Sequence, residues 1–317
     1  MLQPCTPNQI YPKKPARSVS GPLRGAKNGP LAGTTSSIAH GVAEADGRNV
    51  PEGPEIRRAA DRISNVLVGK RVDKASFAFE HLRPFEKQLA GSRVEAIDTR
   101  GKAMLTRFDN GLTLYSHNQL YGRWFTARRG QLPETRRSLR VALHTGTHSA
   151  LLYSASDISV LTEAELATHP FLCRLGPDIL DSGLDTNTII DRLNQKRFMR
   201  RCLAALYLDQ AFLSGLGNYL RSEILYRAGL HPKLRPVDIA ADAQRHLAQE
   251  TLKISRRSYR TGGVTLTKTR SQGGRNRFWV FARASRPCYE CGARIVRENY
   301  SSRRLYFCPG CQPESAS

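Results

Sequence analysis

What the chain lacks narrows its class. No apolar run approaches the roughly 20 residues that cross a bilayer as a helix, so no membrane partner is expected. The first fifty residues carry scattered basic side chains but no continuous apolar stretch, which argues against a secretory signal. Acid is scarce: 27 Asp and Glu stand against 49 Lys and Arg in 317 residues, a net charge of +22. His117, His169 and His231 show no ligand spacing and are assigned no chemistry; the last two precede prolines and mark turns. Internal repeats and a low-complexity basic tail are both missing, so the positive charge belongs to sequence with the texture of folded domains. Nor is there a disulfide framework. Four of the seven cysteines crowd the C-terminus, while Cys5, Cys173 and Cys202 stand alone. Cys173 and Cys202 lie among apolar residues and read as buried spectators. The pattern suits a reducing cytoplasm and one metal site.

What is present begins with charge. Residues 1–50 hold six basic and two acidic side chains, leaving +18 for residues 51–317. A body this basic suits a polyanion such as nucleic acid, although charge alone is also compatible with a solvated basic surface. Residues 1–50 also hold six prolines and six glycines. That composition cannot bury a core, and a disordered extension is expected there.

From residue 51 the chain reads as three domains: 51–180, 181–275 and 276–317. Gly53-Pro54 opens a helix in which Ile56, Ala59, Ala60, Ile63, Val66 and Leu67 recur at three and four, with Gly69 as its stop. Short apolar stretches follow at Arg93–Asp98, Ala103–Phe108, Leu112–Ser116, Leu139–His144 and Ala150–Ser154, with Asn110-Gly111 as a hairpin turn. They predict a β-sandwich or barrel. Helices are expected at Thr186–Gln195, Arg201–Asp209, Asn218–Gly229 and Ala240–Thr251, around a glycine-containing turn at Gln210–Gly217. Ile254–Arg286 holds nine basic residues and no acid, broken by Gly262-Gly263 and Gly273-Gly274. It reads as a flexible basic loop facing phosphate, or as a solvated linker.

Cys288-Tyr-Glu-Cys291, sixteen residues, then Cys308-Pro-Gly-Cys311 is the spacing of two metal knuckles on one hairpin. One structural Zn²⁺ is expected, with a redox pair as the alternative. All four ligands come from protein, so no catalytic metal is expected. Arg303-Arg304 falls near the hairpin tip.

Three separated signatures now agree: Pro51-Glu-Gly-Pro-Glu55, the turn ending Gly215-Leu-Gly-Asn218, and the four-cysteine ribbon. Together they resemble the formamidopyrimidine-DNA glycosylase/endonuclease VIII family over about 51–312. The resemblance implies an α+β multidomain fold: an N-terminal β-sandwich with a leading helix, a helix–two-turns–helix domain and a C-terminal zinc ribbon. Pro51-Glu-Gly-Pro-Glu-Ile and Ser116-His-Asn-Gln-Leu-Tyr-Gly122 are similar to the branch acting on oxidised pyrimidines; an oxidised-purine enzyme is the runner-up.

The same resemblance implies a bifunctional DNA glycosylase and abasic-site lyase, a monomer acting on double-stranded DNA that contains oxidised bases or abasic sites. Pro51 would attack the sugar through its amine. Glu52 would be the general acid, and Lys102 would hold a phosphate and assist. Arg303 would contact phosphate from the hairpin. Glu55 would support the site. Gln119, Leu120 and Tyr121 would fill the hole left by a flipped base. Asn218, with the amides of the turn before it, would bind the DNA backbone, though it could serve only as an N-cap. Arg304 departs from the proline common at its position, which bears on the hairpin tip.

An internal proline has an amide nitrogen with no nucleophilic lone pair. The active chain is therefore expected to begin at Pro51. A valine codon at position 50 used as a start, followed by loss of the initiator, would achieve this; so would proteolysis of a leader. A protein that kept Pro51 internal would be a non-catalytic binder of damaged DNA.

Overall fold

The computed structural model describes residues 51–271, 276–300 and 302–314. The expectation of disorder over residues 1–50 lies outside the described residues. Helix α1 (Gly53–Leu67) starts where Pro54 supplies a preset φ, and the Glu52 amide donates to Glu55 Oε2 at 3.1 Å. It buries Ile56, Ala59, Ala60, Ile63 and Leu67.

Eight strands follow: β1 (Lys74–Phe77), β2 (Val94–Arg100), β3 (Ala103–Phe108), β4 (Leu112–His117), β5 (Arg123–Arg128), β6 (Leu139–His144), β7 (His148–Tyr153) and β8 (Asp157–Thr162). They form two antiparallel four-stranded sheets, ordered β1-β6-β7-β5 and β2-β3-β4-β8. Phe77, Met104, Phe108, Leu114, Val141 and Leu152 fill the space between them, and α1 packs into the same core. The sandwich is as expected, and Gly111 takes the left-handed turn with φ 78°. Strands β1, β5 and β8 were not foreseen. Helix α2 (Pro84–Leu89) joins β1 to β2, and α3 (Glu163–Ala167) follows β8.

The second half is helical: α4 (Thr186–Leu193), α5 (Leu203–Leu206), α6 (Asn218–Arg227) and α7 (Ala241–Thr261). The helix expected at Arg201–Asp209 shrinks to four residues, because the chain must turn twice before α6. The larger correction concerns the basic loop. Helix α7 continues through Thr261 to a left-handed Gly262. Ile254, Ser255 and Ser258 face inward, while Arg256 and Arg260 are exposed. Charge density there marks the outer face of a helix rather than a loop. Beyond it, Leu266, Trp279 and Val280 are buried with Ile295 and Tyr306.

Strands β9 (Val296–Tyr300) and β10 (Arg303–Phe307) form the C-terminal hairpin. Its lead-in is pinned to α6 by Glu223, fully buried, which accepts the amides of Trp279, Val280 and Phe281 at 2.8, 2.9 and 2.9 Å. Cys173 is exposed and Cys202 half-buried, against expectation. Cys173 sits in a short surface turn, where its thiol donates to the Ala167 carbonyl at 3.0 Å. Among the described residues no helix is long and apolar enough to cross a membrane.

Candidate active site

The site forms where the start of α1 meets the turn before α6. Gly53 N–H donates to the Gly215 carbonyl at 2.8 Å. A Cβ on Gly53 would lie 3.0 Å from Gly215 Cα, so glycine at 53 allows the close approach, while Gly215 itself takes a left-handed φ of 94°. A Cβ on Gly217 would lie 2.4 Å from Glu52 Cδ. That space is occupied by the Glu52 carboxyl group.

Glu52 is 2% exposed. Its Oε1 accepts the Tyr219 amide at 2.8 Å and its Oε2 the Leu220 amide at 3.3 Å, at the start of α6. Burial pushes the carboxyl up to about 8, and nearby Glu55 pushes the same way; Lys102 and the two amides pull it down. Lys102 lies in the turn just before β3, half-buried. Burial lowers its ammonium, Glu52 opposes that, and Arg303 adds to it. Lys102 is placed by Gly101, which has φ 60° and donates its amide to Asp178 Oδ2 at 2.7 Å. Glu55 accepts the Tyr219 hydroxyl at 3.0 Å, and that hydroxyl also meets Ser258 Oγ at 2.7 Å. Burial is the chief cause of the raised Glu55 carboxyl.

Pro51, Lys102, Gln119, Leu120 and Arg303 share one cleft of about 210 Å³ with Ile56, His117 and Asn118. Glu52 lies behind it, near Lys102. Leu120 and Tyr121 are 54% and 68% exposed, unusual for a neighbouring apolar and aromatic pair. The loop that holds them out is tight: Gly122 donates to the Asn118 carbonyl at 2.7 Å, and a Cβ on Gly122 would sit 2.6 Å from that oxygen. His117 had been given no chemistry, yet it lines the cleft. Burial lowers its imidazole, favouring the neutral ring.

The N-cap reading of Asn218 changes. Gly217, not Asn218, is the N-cap of α6. The amides of Tyr219 and Leu220, which follow Asn218, are taken by Glu52. Asn218 instead accepts from Arg221 Nη2 at 2.6 Å through Oδ1. Arg221 was missed altogether. It is fully buried, and its fork also donates to the carbonyls of Ala204 (2.7 Å) and Arg304 (3.1 Å). Burial lowers its guanidinium to about 10. Two charges, Arg221 and Glu223, within the otherwise mostly apolar stretch Tyr219–Leu225 were the available signal. Arg304 pairs with Asn299 in a regular hairpin, which leaves Arg303 at the cleft.

The Sγ atoms of Cys288, Cys291, Cys308 and Cys311 lie within 4.8 Å of one another, with pairs at 3.8 and 3.4 Å. Four thiolates at about 2.3 Å from a central ion would be about 3.8 Å apart, so the cluster fits a tetrahedral metal. A Cβ on Gly310 would be 2.8 Å from Cys291 Sγ, so the second knuckle needs its glycine.

Comparison with known proteins identifies the class. Residues 50–156 match the formamidopyrimidine-DNA glycosylase N-terminal domain and residues 175–270 the formamidopyrimidine-DNA glycosylase H2TH domain. Fold and site are those of a bifunctional DNA glycosylase and abasic-site lyase of base excision repair. Endonuclease 8 of Escherichia coli is 50% identical over 263 residues, 83% of this chain and 100% of that protein. Endonuclease 8 of Pectobacterium carotovorum is 49% identical over the same coverage. The chain belongs to the formamidopyrimidine-DNA glycosylase/endonuclease VIII family. The solved complex of Lactococcus lactis Fpg with abasic-site DNA shares the fold, at TM-score 0.70 and 19% identity over 83% of this chain and 99% of that one.

Proposed function

We propose that the protein removes oxidised pyrimidines from duplex DNA and cleaves the strand by β,δ-elimination through an iminium on the Pro51 amine. One observation carries this: Pro51 opens the cleft that Lys102 and Arg303 line, with the protonatable Glu52 directly behind. The flipped nucleotide places its sugar against Pro51. The Pro51 amine attacks C1′ and gives up its proton as the C1′–base bond breaks; the C1′–O4′ bond then opens to leave the C1′–N iminium, Glu52 giving its proton to the ring oxygen or the departing base. The iminium then draws electrons as C2′–H and C3′–O bonds break, and a second elimination breaks C5′–O. Lys102 and Arg303 hold phosphates beside the sugar, Asn218 contacts the backbone, and Gln119, Leu120 and Tyr121 fill the vacated stack. Glu55 supports the site through Tyr219.

The resemblance of Pro51–Ile56 and Ser116–Gly122 to the pyrimidine branch, and 50% identity to an Endonuclease 8, support the substrate class. The reading includes exposure of Pro51 as the first residue, a monomeric protein, a structural Zn²⁺ on the four cysteines, and action in the bacterial cytoplasm at the nucleoid. Only a free secondary amine is nucleophilic there, so the test is borohydride trapping on a duplex with one abasic site, comparing the 317-residue chain with a form starting at Pro51. Adduct from the shorter form alone is expected. No adduct from either would refute the lyase, and equal adduct from an unprocessed long chain would move the nucleophile to another amine such as Lys102. A panel of duplexes with oxidised pyrimidines or purines tests the substrate class.

A further inference from the structure

Helix α1 carries three arginines that the chemistry above does not use, of which Arg57 is paired with Asp61. Arg58 and Arg62 stand about one turn apart, roughly 6 Å along the axis, and Arg123 opens β5 beside them. Together they line a groove of about 370 Å³ whose walls include Ala59, Trp124 and Phe125. Among the described residues none of the three guanidiniums has a hydrogen-bonding or ion-pair partner. The acid nearest in sequence, Asp61, is bound instead by Arg57 at 3.3 Å and by the Tyr259 hydroxyl at 2.7 Å. Among the described residues the Arg123 guanidinium carbon lies 4.9 Å from the Phe125 ring centre. Burial, then the like charges of Arg58 and Arg123, hold the Arg62 guanidinium below its ordinary value. Three converging guanidiniums repel one another; Asp61 offsets this for Arg62 and Glu55 feels the charge of Arg58, but among the described residues neither acid pairs with the three. An anionic occupant would relieve that repulsion.

The groove is placed beside the catalytic cleft. Arg123 follows the exposed Tyr121 by two residues, and Arg58 abuts the end of α7, where a Cβ on Gly262 would be 3.1 Å from its Nη1. Guanidinium forks match phosphate oxygens. We propose that Arg58, Arg62 and Arg123 form a second phosphate-binding groove, which takes backbone phosphates of the duplex next to the lesion on the Tyr121 side. This rests on the DNA-repair reading above. The contact is independent of base identity and adds affinity and register rather than chemistry.

The test uses the form starting at Pro51, with and without R58Q/R62Q/R123Q. Binding to an abasic-analogue duplex is measured across salt concentrations, and then with single phosphates replaced by neutral methylphosphonates on each strand. The triple variant is expected to lower the slope of log affinity against log salt by about one to three. It should also be indifferent to one or two methylphosphonates that weaken the parent protein. Equal slopes overturn the proposal, as does a lower slope with identical methylphosphonate profiles, which would mean diffuse attraction. Should the triple variant misfold, R62Q/R123Q, both exposed, carries the same test with a slope change of about one to two. Borohydride trapping at saturating protein separates the two readings. Loss of trapping in the parent protein refutes the lyase, while trapping with unchanged slopes refutes only the groove.

Discussion

Glu52 caps a helix that begins 166 residues later in the chain: its Oε1 accepts the backbone amide of Tyr219 at 2.8 Å. Two roles meet in one carboxyl group. As an anion it would suit the positive end of α6; as an acid it must keep its proton until the sugar reacts. Burial tips the balance toward the protonated form. The contact exists because residue 217 has no side chain.

Gly217 has φ −147°, which any residue adopts, so Gly217→Ala acts through the clash with Glu52 alone. Base removal by G217A and by E52Q is expected to fall about 100-fold or more. A preformed abasic site needs no base expelled, so strand cleavage there should fall less. Single-turnover rates on a damaged-base duplex and on an abasic duplex check this; equal losses on both would deny Glu52 its role in expelling the base.

The raised Glu52 carboxyl sets a pH dependence. Base removal should decline as pH rises through about 8 and Glu52 loses its proton. It should also decline on the acid side as the Pro51 amine, with an ordinary value near 8, becomes protonated. Stability follows the same group. A carboxyl raised by folding contributes fully below its unfolded value of 4.5, and the contribution is lost as pH climbs toward the folded value of about 8. The melting temperature of E52Q relative to wild type should therefore rise across that window. A flat difference would mean the carboxyl is ionised throughout.

The sandwich was legible where the signal is local. Ala103–Phe108 and Leu139–His144 were read at their true bounds because each is an apolar stretch with turn residues near by. Strand β1 was missed because Lys74-Ala-Ser-Phe77 has one large apolar residue, and β5 because Arg123 and Arg128 bracket it. The cleft residues were reached through a family resemblance that preserves their order in the chain. The supports behind them were not. Arg221 and Glu223 lie on α6, whose helical stretch is buried on nearly every side, so no polar face marks which charge is structural. Their partners, Arg304 and residues 279–281, are distant in sequence.

Arg221 is expected to position two DNA contacts at once, through Asn218 Oδ1 and the Arg304 carbonyl. Arg221→Met keeps the stem and strands three acceptors, one buried and two part-buried, at a cost of about 2–4 kcal/mol in stability. Affinity for an abasic duplex should drop about tenfold while the single-turnover rate at saturation changes little. Asn218→Ala should add less in the R221M background than alone, and Arg221→Lys should rescue poorly because it lacks the fork. Full additivity in the cycle would make Arg221 a stability residue only.

The four-cysteine cluster should hold one zinc ion per chain, and its removal should act on the cleft from a distance. A module this small cannot bury enough apolar surface to keep its shape without the ion. Arg303 reaches the cleft from the hairpin whose ends carry the four cysteines, and β10 is held to α6 by the Tyr306 amide on Ser222 Oγ at 3.3 Å, by Arg221 on the Arg304 carbonyl and by Leu305 and Phe307 in the helical core. Among the described residues the sandwich core includes none from the ribbon. Chelation or Cys308→Ser should therefore weaken abasic-duplex binding and slow trapping while the main thermal transition of the sandwich persists. Metal content by mass spectrometry, affinity and a melting curve on one sample decide it. Unchanged affinity in metal-free protein would remove both the structural ion and the hairpin arginine from the account.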